Sequence, residues 1–424
     1  MTECYLGIDV GTSGVRAILT AKDARILASA TAMLPATHKQ DDMLCQQPHD
    51  WWQAVLDCVQ KITLLQDCSG LQAIAIDGTS GTTLLTDSRN QPISPALMYN
   101  DVRSIELLDS ICTAAPPVIA CSQSSALVKA VFLYQHYASS NEYLIQQQAD
   151  WILANFTGKP GCSDWNNALK LGFDVEQLQW PDWLTAIDMG NRRLPDVFPP
   201  GKKLAVISKQ IAKQTGLPET TRLHAGTTDS IAAFLASGAS KPGEAVTSLG
   251  STLVIKLCTR KPVISTTHGI YSHRLDKHRW LVGGASNTGG AVLKKYFTLN
   301  ELVSLSEKID PDTSTGLDYY PLPAKGERFP LSDPEKEPEM LPVPDDRALF
   351  LQAIFEGIAQ IEKHGYDLLE KLGGDTVLSV RSCGGGSANS KWNSIRQKIV
   401  ERPFLPAIET EAAYGSALLA AGKL

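Results

Sequence analysis

Apolar and polar positions along the first ninety residues follow the order strand, strand, strand, helix, strand. Tyr5, Leu6 and Ile8 lead into GIDVGTSGVRA (7–17), and Val15, Ala17 and Leu19 lead out, which predicts two strands about a glycine turn. From about Asp50 the spacing becomes helical, with Trp51, Val55, Val59 and Ile62 on one face. The apolar run LQAIAI then ends, as the first strand does, in an aspartate and a glycine turn, DGTSG. Helical spacing covers Ser125–Tyr137 and Ile145–Phe156, and a segment broken by Pro181, Pro195, Pro199 and Pro200 reads as loop. From about Leu223 the pattern restarts: HAGTTDS, a helix through Ile231 and Leu235, and a strand pair in EAVTSLGSTLVIKLC. The proline- and acid-rich stretch 321–344 reads as surface loop, before a helix over 347–372, the strand TVLSVRSCGGG and a last helix from Ala412 to Ala421. Two α/β halves, each opening on a hairpin with a hydroxyl-glycine bend, predict duplicated domains facing a central cleft.

Length agrees with that division, since 424 residues exceed the size at which one core stops growing. Hydrophobic residues make up 43% and charged residues 20%, as in an ordinary soluble protein, and a net charge of −6 favours neither nucleic acid nor an anionic membrane as partner. No apolar run approaches the roughly 20 residues of a membrane helix, and no basic-then-apolar leader is evident. Nine scattered cysteines without a CxxC pair read as reduced thiols, and eight histidines show no ligand spacing. A cytoplasmic protein, monomer or homodimer, with no metal cage of its own is the expectation.

Four polar stretches carry the chemistry. In the first, a plain hairpin accounts for Gly11 and Gly14, which permit positive φ, but not for Asp9 beside Thr12 and Ser13. Bared amides, hydroxyls and one carboxylate suit a phosphate with its metal ion; no Walker Gly-Lys-Ser/Thr follows. In the second, Asp229 either caps the helix after it or acts chemically. In the third, Gly250, Ser251 and Thr252 turn the chain or bind an anion. In the fourth, Gly384, Gly385 and Gly386 cap a helix or admit a flat ligand.

In this order the motifs resemble the FGGY carbohydrate kinases of the actin–hexokinase–Hsp70 fold. Asp9–Val15 and Leu249–Thr252 resemble its two phosphate motifs, and Gly384–Ser387 onward through Trp392 its adenosine motif. LMYNDVR (97–103), SDWNNALKLGFD (163–174), PLPAKGERFP (321–330), FEGIAQ (355–360) and the closing EAAYGSALLA are also similar. The resemblance implies two ribonuclease-H-like, actin-like ATPase domains. The first spans 1–224 with the sugar site and first phosphate loop. The second spans 225–424 with the catalytic aspartate and adenosine motif, its last helix crossing back to the first.

It also implies ATP and Mg²⁺ as cofactors. Gly11, Thr12, Ser13, Gly14, Gly250, Ser251, Thr252, Gly384, Gly385, Gly386, Ser387 and Asn389 would hold the nucleotide, and Asp9 with Asp229 the metal. Asp229 would be the general base, with Ser80, Asp101, Arg103 and Ser230 facing the sugar. Three features depart from the family: Tyr99-Asn100 replaces the tryptophan before Asp-x-Arg, Ser394 and Lys398 replace Gln and Asp on the adenine-side helix, and the chain is short around 330–345. Asp77-Gly78-Thr79-Ser80 stands where xylulokinases place Met-His-Gly, and TSGT (79–82) together with GTTDS resembles short xylulokinase-like enzymes that phosphorylate D-ribulose. D-xylulose or another pentulose or pentitol is the next candidate. A nucleotide- and sugar-binding sensor is the alternative from another class, opposed by the presence of both Asp9 and Asp229.

Overall fold

The computed structural model describes residues 2–40, 42–102, 105–115, 120–122, 125–138 and 142–423. The chain forms two compact units: Met1–Ala236 together with Glu411–Leu424, and Ser237–Thr410.

The main sheet of the first unit runs, edge to edge, Lys203–Val206, Arg222–His224, Leu71–Gly78, Cys4–Val10, Gly14–Ala21, Ile26–Met33. Strand alternation sorts its two faces. Leu6, Ile8 and Val10 join Trp51, Val55 and Val59 of the helix Pro48–Leu65 in one core. Gly7, on the alternate face, lies so close to the helix Ala412–Ala420 that a Cβ would stand 1.9 Å from Ala413 O. A second sheet, ordered 192–193, 143–147, 83–86, 96–97, 43–46, 38–40, has its own core around Leu85, Ile145 and Leu133.

The second unit holds one six-stranded sheet: Tyr271–Arg274, Trp280–Ser286, Leu253–Thr259, Glu244–Leu249, Ser379–Cys383, Phe404–Leu405. Ile255 and Leu257 pack with Ile354, Ile358 and Ile361 of the 25-residue helix Arg347–Lys371. The two units share a plan. In each, an antiparallel hairpin has its first strand parallel to a third: Cys4–Val10 beside Leu71–Gly78, and Glu244–Leu249 beside Ser379–Cys383.

Three expectations shift. The units divide after Ala236 rather than at 224/225, because Arg222–His224 and Thr227–Thr228 extend the first sheet beside Leu71–Gly78. Asp229 therefore belongs to the first unit. The helix expected from Ile145 begins at Gln148, because Tyr143–Gln147 pairs with Thr83–Thr86 and Gln147 with Asp150 forms a capping box. The stretch 321–344 is not all surface: Leu322 and Phe329 are buried, and buried Glu327 accepts from Ser286 Oγ at 2.6 Å and Asn287 N at 2.8 Å. Among the described residues no helix is long and apolar enough to cross a membrane.

Candidate active site

Two nearly identical runs end the central strands of the first unit. Ile8-Asp9 continues into Val10-Gly11-Thr12-Ser13-Gly14, and Ile76-Asp77 into Gly78-Thr79-Ser80-Gly81. The strands are parallel and in register, pairing Ile8 with Ile76 and Asp9 with Asp77. In the first turn Gly11 N–H donates to Gly14 O at 3.0 Å, Leu34 N–H to Ser13 O at 3.0 Å, and Gln46 Nε2 to Thr12 O at 2.7 Å. Neither glycine there has positive φ. Gly14 is required for closeness instead, since a Cβ would stand 2.8 Å from Ala32 O. Thr12 and Gly11 stay partly open and Ser13 exposed, so the turn keeps groups for a ligand.

Asp9 and Asp77 are both buried, and Asp77 has no exposed surface. Ser416 Oγ donates to Asp77 Oδ2 at 2.6 Å, while Asp77 Oδ1 meets no N–H or hydroxyl. Its other side-chain neighbour is the Asp9 carboxyl, so that contact becomes a hydrogen bond only when one acid holds a proton. Burial raises Asp77 well above the usual carboxylate range, and the Asp9 charge raises it further. Asp9 is pushed up to about 6, chiefly by burial and partly by the Asp229 charge, against the pull of its Asp77 hydrogen bond and of Arg16. Arg16 Nη1 lies 3.6 Å from Asp9 Oδ2. Three carboxyls that feel one another, two of them buried, would gain from a divalent cation nearby. Among the described residues, though, no group of three or more His, Cys, Asp or Glu is placed to hold a metal unaided.

Asp229 opens the helix Asp229–Ala236 and is half-buried, its Oδ1 accepting Ser230 N–H at 2.6 Å. The strand residues before it, Thr227 and Thr228, pair with Asp77 and Gly78. Asp9, Asp77 and Asp229 thus gather at one end of the first sheet. Beside them the turn Thr79–Thr82 is closed by Thr82 N–H to Thr79 O, with Gly81 at φ +91°. Gln148 Oε1 accepts from Thr79 N at 2.9 Å and Oγ1 at 2.8 Å, whereas buried Ser80 Oγ has no partner. Asp101 is buried and accepts Leu44 N–H at 2.9 Å; Arg103 lies outside the described residues. Lys129, also without exposed surface, donates to Gly81 O at 3.1 Å and Tyr99 O at 3.2 Å. Burial and the Lys170 charge bring its pKa down to about 7, with Asp101 acting the other way.

In the second unit the turn Leu249–Thr252 is held by Gly250 N–H to Thr252 O at 3.2 Å and by Gly290 N–H to Gly250 O at 2.9 Å. Gly384, at φ +82°, presses on Leu249: a Cβ there would lie 2.8 Å from Leu249 O. At Gly386 a Cβ would meet Trp392 at 2.6 Å, but at Gly385 nothing lies within 4 Å. Asn389 caps the helix Ser390–Val400, its Oδ1 accepting Trp392 N–H at 3.0 Å and its Nδ2 donating to Ser306 Oγ at 2.8 Å. These two turns, with Leu299, Leu302, Val303 and Trp392, line a cavity of about 660 Å³. Trp392 stacks on Phe355, ring centroids 4.7 Å apart, and Arg396 of the same helix is locked to Glu362 in a buried pair. A largely apolar cavity with polar glycine turns at one side fits an adenosine with its phosphates.

Residues 4–236 match the FGGY family of carbohydrate kinases, N-terminal domain, and residues 245–423 its C-terminal domain. The chain belongs to the FGGY family of carbohydrate kinases. It is an ATP-dependent sugar kinase. The kinase is 22% identical to gluconokinase of Bacillus subtilis over 473 residues, covering 100% of this chain and 89% of that protein. It is 25% identical to xylulose kinase of Streptomyces coelicolor over 457 residues, covering 99% and 88%. Its fold matches a xyloylose kinase from Brucella ovis with a TM-score of 0.88 at 20% identity, covering 100% of this chain and 91% of that one. Plasmodium falciparum glycerol kinase with ADP gives 0.86 at 17% identity, covering 100% and 90%. The kinase thus has the two-domain α/β fold of the FGGY carbohydrate kinases.

Sequence reasoning passed over three residues of this kinase. Asp77 was signalled by the repeat of Ile-Asp before a Gly-Thr-Ser turn, and its register with Asp9 makes it a neighbour. Lys129 and Ser416 sit in helices that read as plain apolar segments, where a buried polar group leaves no local mark. Ser394 and Lys398, where the family pattern differs, do not line the cavity; Lys398 is engaged with Asp312 and Pro311 O instead.

Proposed function

We propose that this kinase transfers the γ-phosphoryl group of MgATP to D-ribulose, forming D-ribulose 5-phosphate. The observation that carries the sugar site is the gathering of Asp229, Asp77 and Asp9 at one sheet end, beside the unpartnered hydroxyl of Ser80. Asp229 accepts the proton of the attacking sugar hydroxyl while that oxygen bonds to the γ-phosphorus and the bond to the β-phosphate oxygen breaks. Ser80, Asp101, Arg103 and Ser230 orient the sugar. The amides and hydroxyls of 11–14 and 250–252 hold the phosphates, and Gly384–Asn389 the adenosine.

Asp9 and Asp229 offer hard oxygen donors that would hold Mg²⁺. Bound there with ATP, the ion supplies neutralisation of phosphate charge. Nine free cysteines accord with a cytoplasmic setting. D-xylulose is the second candidate, because several similar proteins are named xylulose kinase.

The deciding experiment is a coupled ATP-consumption screen over pentuloses, hexuloses, polyols, gluconate and glycerol, with Asp229→Asn as control. The expected result is the highest kcat/KM on D-ribulose and a loss of about 10²–10⁴-fold in the control. A clear preference for another acceptor overturns the D-ribulose assignment. ATP binding with no turnover on any acceptor would favour the sensor.

A further inference from the structure

An ammonium is an expensive group to bury, and a methionine of the same length would fill the place of Lys129 without that cost. Lys129 lies in the helix Ala126–Tyr137 with no exposed surface. It donates to the carbonyl of Gly81 at 3.1 Å and to that of Tyr99 at 3.2 Å. Those carbonyls belong to different loops. One follows the strand Leu71–Gly78 and carries Ser80; the other carries Asp101.

The neighbouring contacts point the same way. Lys170 Nζ donates to Ser80 O at 3.3 Å, so successive carbonyls of one turn are each held by a lysine. Tyr99 N–H donates to Thr82 Oγ1 at 3.1 Å, a second tie between the same two loops. Asp101 is itself immobilised by Leu44 N–H. Hydrogen bonds from one buried amine to two carbonyls are directional, as apolar packing is not, so they fix a separation rather than merely fill a space.

We propose that Lys129 is a positioning residue for the acceptor sugar, setting the separation of the Ser80 and Asp101 loops and through it which pentulose fits. This rests on reading the site as a pentulose site. Lys129 touches no reacting atom in this role; it acts through the two loops.

The test is steady-state kinetics of full-length Lys129→Met and Lys170→Met on D-ribulose and D-xylulose at saturating ATP. Lys129→Met is expected to raise KM for the preferred sugar about 10-fold or more, change kcat less than about 3-fold, and narrow the kcat/KM ratio between the sugars. Lys170→Met, at a partly exposed site, is expected to shift KM in the same direction by less, and gives an answer if Lys129→Met does not fold. A lysine that only supports the fold would lower stability and active yield without moving KM or the ranking of sugars, and that result in a folded variant overturns the proposal. If the unaltered protein phosphorylates neither sugar, the pentulose reading itself fails and the proposal falls with it.

Discussion

Ser416 donates its hydroxyl to Asp77 across 2.6 Å, joining positions 339 apart in sequence, both without exposed surface. The last helix therefore reaches the same carboxyl that stands in register with Asp9. Glycines let this helix pack closely on both sides: a Cβ on Gly7 of the sheet would stand 1.9 Å from Ala413 O, and one on Gly415 would stand 1.9 Å from Ala232 O of the helix Asp229–Ala236.

That closeness inverts a common expectation. Alanine in place of a helical glycine ordinarily stabilises by up to about 1 kcal/mol. Gly415→Ala should instead destabilise, because the helix must move off Asp229–Ala236. Ser416→Ala should cost about 1–3 kcal/mol by leaving a buried carboxyl oxygen without its donor. Urea denaturation measures both; a Gly415→Ala midpoint at or above the parent's would refute the packing argument.

Asp9 makes stability depend on pH in a definite direction. Its pKa rises from 3.8 to about 6 on folding, so the folded state binds the proton more tightly. Stability from this group is present at low pH and is lost as pH rises through that window, because the unfolded state then binds fewer protons than the folded one. Without Mg²⁺, Asp9→Asn should therefore be more stable than the parent above about pH 7 and flatten the slope between about 4 and 6. Added Mg²⁺ with ADP should raise the melting temperature of the parent more than that of the variant. Parallel pH profiles for the two proteins would count against the buried-carboxyl account.

The hairpins, the long helices and the three glycine turns were legible because each is written in consecutive residues: period-two strands, period-3.6 helices, and glycine where chains press together. The domain boundary was not. It depends on Thr227 and Thr228 adding to a strand 150 positions away, a pairing that two hydroxyl residues do not announce. Phe329 and Glu327 were hidden for a similar reason, since proline-rich sequence looks exposed whatever it covers. Asp9, Ser80 and Asp229 stand out as candidates from turn chemistry and family pattern. Lys129 and Ser416 could not, because their partners are distant carbonyls and a carboxyl.

Gly385 and Gly386 separate ligand space from packing. Gly385→Ala puts a methyl where no atom lies within 4 Å, so the fold should be unaffected within about 0.5 kcal/mol. KM for ATP should rise, about 10-fold, while KM for sugar stays put. Gly386→Ala collides with Trp392 and should lower stability first. Calorimetric titration with ADP decides the matter: unchanged ADP affinity in Gly385→Ala would mean that the nucleotide does not approach this turn.

Ser80 offers the sharpest division between a structural and a functional hydroxyl. A serine that serves its own turn would spend its oxygen on a nearby N–H, but here the turn is closed by Thr82 N–H to Thr79 O, and Ser80 Oγ is buried without a partner. Such a group contributes nothing to the free protein and costs its lost hydration. Ser80→Ala should therefore melt at the same temperature as the parent or higher. Catalysis should move the other way. If a ribulose hydroxyl pairs with Ser80 in the complex, removing it costs roughly 1–3 kcal/mol, or about 5- to 150-fold in kcat/KM. The loss should be larger on the preferred sugar than on its epimer, because only one of them presents the hydroxyl correctly. Melting curves together with kinetics on D-ribulose and D-xylulose test both halves: a small, equal loss on the two sugars would return Ser80 to the role of a turn residue.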